Sequence, residues 1–297
     1  MDYQTSKVTY NPQNFRLNKK KVARPPIITY VLLIVYSIYI FIPFWILLVT
    51  ALKTDAEARL GTFTWWPKEG FHLDALKKVL QEKLIYSGFL NTLLYHMPPT
   101  IVGLLVSALA SYGFAKMEWK GRNAIFQFLI FTMMIPGSVT LTASFLMYDL
   151  IGWVDTPLPF MIPGMFGGIG MVFFLRQYMK GIPDDLIGAA KIDGMSEIKI
   201  FFTLILPLSV PALLTQGILA FIGHYNEYMG PLLYLPSAAD EELTLQLVLR
   251  NLTNRYQLHP NEQMGLCLIA MLPMLILYLL LQNYILKGIS MSSGLKG

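Results

Sequence analysis

A short polar cluster carries the side chains of this sequence that are best suited to bind a polar ligand: Tyr225, Asn226, Glu227 and Tyr228. Asn and Glu side chains offer paired hydrogen-bond donors and acceptors, and the two tyrosines offer aromatic faces. Such a set suits the hydroxyl groups of a sugar. The alternative is a polar cluster that only meets water at the end of an apolar segment, and the residues alone leave this choice open.

The residue arrangements that carry out covalent or metal chemistry are not found in the sequence. The four histidines, His72, His96, His224 and His259, have no neighbours at metal-ligand spacing, which predicts that there is no metal site. No Ser/His/Asp or His-x-x-Glu-His arrangement occurs, and the glycine-rich stretch PGMFGGIG lacks the Lys-Ser/Thr ending of a phosphate-binding loop. We therefore expect a chain that is not an enzyme and binds no cofactor of its own.

A second group of residues, 182–200, has the pattern of a helix, a turn and a second helix, and we call it the elbow. Pro183 suits the first turn of a helix, and the two aspartates that follow it lie where the helix dipole favours negative charge. Gly194 can adopt the left-handed conformation that ends a helix, and Ser196 can cap the next helix. The elbow then runs directly into an apolar stretch.

The pattern of the elbow fits two roles: a docking surface for a partner protein, or a plain connection between two membrane spans. Ala189 and Ala190 leave a face of small residues against which a partner can pack closely. An amphipathic helix that only joins two membrane spans would show the same periodicity. The spacing of the residues does not decide between these two interpretations.

The composition is that of an integral membrane protein. Of 297 residues, 55% are hydrophobic and 14% are charged, and the mean hydropathy is +0.51, unlike a soluble domain. The net charge of +5 could suggest nucleic acid, but the basic residues are placed around predicted membrane spans, so nucleic acid is not an expected partner. The one cysteine, Cys267, lies in an apolar run and can form no internal disulfide.

Long runs without Asp, Glu, Lys or Arg predict the membrane spans. Each run exceeds or nears the ~20 residues that a helix needs to cross about 30 Å of hydrocarbon. The sequence therefore predicts an all-α polytopic membrane protein with six transmembrane helices, and the elbow lies between the fourth and the fifth. The runs are residues 25–52, 84–115, 123–148, 156–175, 200–226 and 263–286.

The placement of positive charge predicts the orientation. Most of the 23 Lys and Arg residues fall before the first run or after the second, fourth and sixth runs. The positive-inside rule therefore puts both termini and the elbow in the cytoplasm. We expect a multi-pass protein of the inner or plasma membrane, with a basic cytoplasmic segment (1–24), a six-span domain (25–287) and a cytoplasmic tail (288–297).

The elbow resembles the cytoplasmic signature of the permease subunits of binding-protein-dependent ABC transporters, in the carbohydrate-uptake branch typified by the maltose permease. The resemblance is carried by Ala189, Ala190, Asp193 and Gly194, followed by a Leu-Pro pair at positions 206 and 207. Gly188 stands where the family usually has glutamate, so a salt bridge from that carboxylate is not carried over. The resemblance implies a cytoplasmic coupling helix that contacts an ATPase through Pro183, Asp185, Gly188, Ala189, Ala190, Asp193 and Gly194.

The resemblance also implies a set of partners. These are a second homologous permease subunit, two ATPase subunits that use ATP and Mg, an extracytoplasmic substrate-binding protein, the lipid bilayer and an oligosaccharide substrate. The family usually has tryptophan-asparagine-glutamate where this chain has Tyr225, Asn226 and Glu227, which makes these residues and Tyr228 candidates for the substrate path. The candidates for contact with the binding protein are Arg250, Asn251, Asn254 and Arg255.

A self-contained secondary transporter or channel is the alternative function. Such a protein typically needs ionisable groups deep within its spans, or inverted repeats with broken helices. The predicted spans are uncharged and show no clear internal repeat. The sequence therefore favours the permease subunit of an ATP-driven importer.

Overall fold

The structure is a computed structural model that describes residues 26–255 and 259–294, with side chains described to residue 254 and from 259 to 282. The basic segment 1–24 lies outside the described residues. Within these described ranges the chain forms fifteen α-helices and no β-strand. They are α1 (Ile27–Ala51), α2 (Asp55–Arg59), α3 (Asp74–Leu80), α4 (Lys83–Ala115), α5 (Arg122–Thr132), α6 (Gly137–Leu150), α7 (Leu158–Met165), α8 (Ile169–Lys180), α9 (Asp184–Ile192), α10 (Glu197–Ile200), α11 (Leu206–Leu208), α12 (Val210–Tyr225), α13 (Met229–Tyr234), α14 (Leu245–Arg255) and α15 (Pro260–Gly294).

Four helices are long and apolar enough to cross a membrane, and the number of spanning segments rises to six when each of two bent helix pairs counts as one span. Four are single stretches: Ile27–Ala51, Lys83–Ala115, Leu158–Lys180 and Pro260–Gln282. Two are bent pairs: Arg122–Thr132 with Gly137–Leu150 at 90°, and Glu197–Leu208 with Val210–Tyr225 at 73°. These segments lie on the six uncharged runs of the sequence, so the predicted all-α polytopic fold is confirmed.

The last helix is longer than the sequence predicts. Helix α15 continues to Gly294, beyond the boundary at residue 287, so most of the segment expected as a tail is helical. The final residues, 295–297, lie outside the described ranges.

Prolines explain the bends. Pro136 lies between α5 and α6 with an extended backbone, since its fixed φ and missing N–H interrupt the ladder of helical hydrogen bonds. At the second bend, Ser209 separates α11 from α12, and Pro211 occupies the first turn of α12. Pro98 and Pro99, in contrast, lie inside α4 without ending it.

The chain divides into two compact units at Trp45, within α1. The first unit contains the N-terminal part of α1, whose apolar side chains are mostly exposed. The second unit, from Ile46 onward, has two clusters of buried apolar side chains. One cluster includes residues of α3, α4, α14 and α15, and the other packs the C-terminal half of α4 and α8 against the elbow.

Candidate functional site

The elbow folds as its sequence predicts. Helix α9 begins directly after Pro183 and carries Asp184 and Asp185 in its first turn. Gly194 has a φ of +75°, the left-handed conformation that ends many helices. The Ser196 hydroxyl accepts a hydrogen bond of 3.4 Å from the Lys199 backbone N–H, so it caps α10. The result is two short helices joined by a sharp turn.

The inner face of the elbow packs against the membrane helices. Ile187 and Ala190 of α9 are buried, at 6% exposure each. They belong to the same apolar cluster as Tyr112 of α4 and Leu175 and Met179 of α8. Because such a cluster is close-packed, the inner face of the elbow is held against these helices.

Lys116, at the end of α4, holds the first turn of the elbow. Its ammonium donates hydrogen bonds of 2.5 Å to the Ile182 carbonyl oxygen and 2.6 Å to Asp184 Oδ1. The Lys116 side chain is 3% exposed, whereas that of Asp184 is 86% exposed. The hydrogen bond and the positive charge of Lys116 hold the pKa of the Asp184 carboxyl below its usual range.

Glu197, the first residue of α10, holds the second half of the elbow. Its Oε2 accepts a hydrogen bond of 2.5 Å from the hydroxyl of Tyr112. Its Oε1 pairs with the Lys191 ammonium at 2.7 Å. This carboxylate therefore connects α9 and α10 to α4.

Helix α10 continues into a π-helical turn, Phe201–Ile205. The backbone N–H of Leu206 donates to the carbonyl oxygen of Phe201, five residues earlier. Ile200 and Ile205 are both 0% exposed. The elbow is thus joined without a flexible loop to the segment that leads into α12.

The outer face of the elbow is exposed and partly apolar. Asp185, Gly188, Ala189 and Asp193 are exposed, and Ile192 is 89% exposed. Leu186 at 43% and Ile198 at 67% are exposed as well, and several exposed apolar side chains on one short segment favour a contact surface.

The sequence predicted that Ala189 and Ala190 share one exposed face, which is wrong for Ala190. Its side chain is buried in the chain's own apolar cluster, beneath α9. A Cβ added at Gly188 meets nothing within 4 Å. The exposed small residues are therefore Gly188 and Ala189.

The four substrate-path candidates do not share one surface. Tyr225 is buried, and its hydroxyl donates a hydrogen bond of 2.7 Å to the Ala270 carbonyl oxygen, so it packs α12 against α15. Glu227 Oε1 accepts a bond of 2.9 Å from the backbone N–H of Gly230, in the first turn of α13. Asn226 and Tyr228 are exposed.

The candidates for contact with a binding protein lie on α14. Arg250 and Asn254 are exposed. Asn251 donates a hydrogen bond of 3.1 Å from Nδ2 to Asp240 Oδ1, so its amide is used within the chain. Arg255 is the last residue of α14, and its side chain lies outside the described residues.

The histidines are less isolated than the sequence suggested. His96 of α4 stacks on His224 of α12 with ring centroids 4.9 Å apart. Ligand atoms of Asp55, His259 and Glu262 lie within 4.8 Å of one another. Sequence spacing missed both groups because their members come from distant parts of the chain.

Cationic side chains of the chain itself contact the Asp55, His259 and Glu262 group. Arg59 Nε lies 3.1 Å from His259 Nδ1, and Lys78 forms an ion pair with Glu262. The backbone N–H of His259 also donates to Glu262 Oε2 at 3.2 Å. The sequence held one local signal in this region. Pro260 followed two residues later by Glu262 is typical of the first turn of a helix, and α15 begins there.

Comparisons with known proteins agree with this architecture. Residues 103–291 match the model of the family described as "Binding-protein-dependent transport system inner membrane component". This range contains the whole elbow.

Two curated relatives are similar over most of the chain. The arabinooligosaccharides transport system permease protein AraQ of Bacillus subtilis (strain 168) is 30% identical over 270 residues, which cover 88% of this chain and 92% of that protein. The polygalacturonan/rhamnogalacturonan transport system permease protein YtcP of the same organism is 27% identical over 277 residues, covering 89% and 96%.

A solved structure has a similar fold. It is a chain of a bacterial ABC transporter involved in the import of the acidic polysaccharide alginate, with a TM-score of 0.77, 22% identity, and coverage of 87% of this chain and 95% of that one. At this identity the likeness concerns the fold alone. The family match and the similarity to AraQ go further: this chain belongs to the family of binding-protein-dependent transport system inner membrane components.

Proposed function

We propose that this chain is the non-catalytic permease subunit of an ATP-driven importer whose substrate is an oligosaccharide. Family membership supports a permease. The substrate class rests on two relatives, the arabinooligosaccharides transport system permease protein AraQ and the polygalacturonan/rhamnogalacturonan transport system permease protein YtcP. Two ATPase subunits that use ATP and Mg, a second homologous permease and a substrate-binding protein complete the proposed assembly.

One observation carries the mechanism: the elbow is fixed to the membrane helices on its inner face and exposed on its outer face. Lys116 and Glu197 bond the elbow to α4, and α10 continues into the segment that leads to α12. An ATPase that binds the outer face around Ile192 therefore moves α4 and α12 together. Coupling of this kind requires that the ATPase contact the elbow differently in its two states.

The orientation follows the positive-inside rule. The elbow and both termini are cytoplasmic, where the ATPase subunits bind. Helix α14 then lies on the opposite side, and its exposed Arg250 and Asn254 are positioned for the binding protein. On this side a sugar would first meet the exposed Asn226 and Tyr228.

The test uses the complete transporter in proteoliposomes. Ile192→Asp places a charge on the outer face of the elbow without disturbing the chain's own core, because the side chain is 89% exposed. We expect ATP hydrolysis stimulated by the binding protein and oligosaccharide uptake to fall together by about tenfold, the equivalent of ~1.4 kcal/mol. Co-purification of the ATPase should weaken in parallel.

The matched control is Leu80→Asp, at a residue of α3 that is 50% exposed, which should leave ATP hydrolysis and co-purification unchanged. Uptake driven by an ion gradient in liposomes that contain this chain alone would overturn the proposal. So would full coupling in Ile192→Asp.

A further inference from the structure

Four aromatic side chains are exposed on one short loop between α2 and α3. Phe63 is 55% exposed, Trp65 54%, Trp66 59% and Phe71 65%. The rings lie in pairs, with centroids 4.9 Å apart for Phe63 and Trp65 and 6.4 Å apart for Trp66 and Phe71. Single exposed hydrophobic residues are normal, but a contiguous patch indicates an interaction surface. We call residues 61–71 the aromatic loop.

The aromatic loop is held in place by a buried ion pair. Glu57 and Lys53 are each 4% exposed, with Lys53 Nζ and Glu57 Oε1 3.7 Å apart. Glu57 Oε2 accepts the backbone N–H groups of Lys68 at 3.0 Å and of Glu69 at 3.4 Å. Thr54 adds a hydrogen bond of 2.6 Å from its hydroxyl to Glu69 Oε2. The aromatic side chains are thus presented by an ordered loop.

Both ends of the aromatic loop are fastened to residues that directly follow the membrane-spanning helix α1. The backbone N–H of His72 donates a bond of 2.9 Å to the carbonyl oxygen of Leu52, the first residue after α1. Lys53 Nζ donates a bond of 3.2 Å to the carbonyl oxygen of Thr62. The rings therefore lie near the level at which this span leaves the membrane.

Two physical preferences identify the occupant of this surface. Tryptophan is enriched at the boundary between hydrocarbon and water, where its amphipathic ring is at the level of the lipid headgroups. The exposed Lys68 lies within the same loop, and a long lysine side chain near the end of a span extends its ammonium to the interface while its methylene groups remain among apolar neighbours.

We propose that the aromatic loop is a bilayer anchor: Phe63, Trp65, Trp66 and Phe71 insert among the headgroups and upper acyl chains of the leaflet at which α1 ends. The anchor fixes the depth of the buried Lys53–Glu57 pair. Asn261, at the start of α15, donates a hydrogen bond of 3.1 Å to the Lys53 carbonyl oxygen. The anchor thereby also sets the level at which the last span begins.

Fluorescence of the loop tryptophans tests this proposal in the assembled permease in lipid nanodiscs. The other tryptophans of this chain, Trp45, Trp119 and Trp153, are replaced by phenylalanine. The emission of a complex that also lacks Trp65 and Trp66 is subtracted, so that the remaining signal comes from these two side chains. The nanodiscs contain phosphatidylethanolamine and phosphatidylglycerol, with bromine atoms either high or low on the acyl chains. We expect blue-shifted emission, strong quenching by the shallow bromines, and weak quenching by aqueous iodide.

A pair of variants at one position supplies the control. With Trp66 as the single remaining tryptophan, Trp65→Tyr should retain the quenching by shallow bromines, because tyrosine also suits the interface. Trp65→Glu should reduce that quenching several-fold and increase quenching by iodide. Both variants are compared at equal yields of the assembled complex.

Strong iodide quenching without bromine quenching in the parent chain would overturn the proposal, because the loop would then face water. A change of emission on addition of oligosaccharide would likewise overturn it and assign the rings to sugar stacking. Neither result depends on transport activity, so a failure of the anchor is distinguishable from a failure of the proposed import function.

Discussion

The hydroxyl group of Tyr112 lies 2.5 Å from Oε2 of Glu197 and donates a hydrogen bond to it. Tyr112 belongs to α4, and Glu197 begins α10. The second carboxylate oxygen of Glu197 pairs with Lys191 of α9 at 2.7 Å. A single carboxylate therefore joins three helices, so a force on the elbow reaches α4 through a directional bond as well as through apolar packing.

Removing the Tyr112 hydroxyl should weaken this connection. Tyr112→Phe keeps the ring in the apolar cluster and deletes only the donor to Glu197. A hydrogen bond to a half-exposed carboxylate contributes roughly 1 kcal/mol, so we expect the amount of sugar imported per ATP hydrolysed to fall about fivefold. The measurement is simultaneous uptake and ATP hydrolysis in proteoliposomes.

Tyr178→Phe is the matched control for Tyr112→Phe. The hydroxyl of Tyr178 donates a bond of 3.1 Å to the Leu208 carbonyl oxygen, so an equivalent hydroxyl is lost from the same region without touching Glu197. Its transport ratio should stay near that of the wild type. Equal losses in the two variants would contradict a specific role for the Tyr112–Glu197 bond.

Replacing Lys116 should loosen the start of the elbow. Lys116→Met preserves the length of the buried side chain but leaves the Ile182 carbonyl oxygen without this donor. Loss of a partner for a buried polar group costs about 1–3 kcal/mol, which should appear as a lower midpoint of thermal unfolding. Asp184→Asn, which changes only the exposed partner, should shift that midpoint far less. Lys116→Met also removes the ion pair with Asp184, so equal shifts in the two variants would show that this exposed pair, and not the bond to Ile182, is the main stabilising contact.

Two glycines of the elbow should respond in opposite directions to alanine. Gly188 lies inside α9 with open space around its missing Cβ, so Gly188→Ala should stabilise the chain by roughly 0.5–1 kcal/mol. Gly194 has a φ of +75°, so Gly194→Ala should destabilise it by about 1–2 kcal/mol. Thermal unfolding of the purified complex measures both, and destabilisation by Gly188→Ala would show that the helix is strained at that position.

Protonation of the buried Glu57 carboxylate at acidic pH should destabilise the folded chain. Burial raises the pKa of this carboxyl, but the backbone N–H groups of Lys68 and Glu69 and the charge of Lys53 outweigh burial and leave the pKa below its usual range. A group whose pKa is lowered on folding stabilises the protein above its unfolded pKa. That stability is then lost as the pH falls through the folded value.

The corresponding variant is Glu57→Gln. It leaves the ammonium of Lys53 buried without its counter-charge, which should cost about 3–5 kcal/mol at neutral pH. It should also flatten the fall in unfolding temperature as the pH drops below the ordinary pKa of a glutamate, about 4.3. Glu69→Gln is the control at an exposed position. A wild-type acid response that persists in Glu57→Gln would assign the response to other carboxylates.

Local features of the fold could be predicted from the sequence. The uncharged runs gave the six spanning segments because lipid imposes length and apolarity on each of them separately. Gly194 and Ser196 were equally predictable, since a left-handed residue and a helix cap depend on neighbours only a few positions away.

Features that depend on distant residues were not predictable. Arg59 meets His259 across 200 positions, and no periodicity links them. The burial of Ala190 and Tyr225 was missed for the same reason: helical spacing gives the face on which a residue lies but not the neighbour that covers it. A single sequence therefore locates the elbow but does not assign its inner and outer faces.

The π-helical turn at Phe201–Ile205 determines the direction in which the side chains of the fifth span point. In a regular α-helix, residues five positions apart point about 140° away from each other, yet Ile200 and Ile205 both face the interior. The wider turn takes up one additional residue, as π-bulges do. Deleting one residue here would rotate everything downstream by roughly a quarter of a turn, so the alignment of this span with the rest of the transporter depends on an insertion of one amino acid.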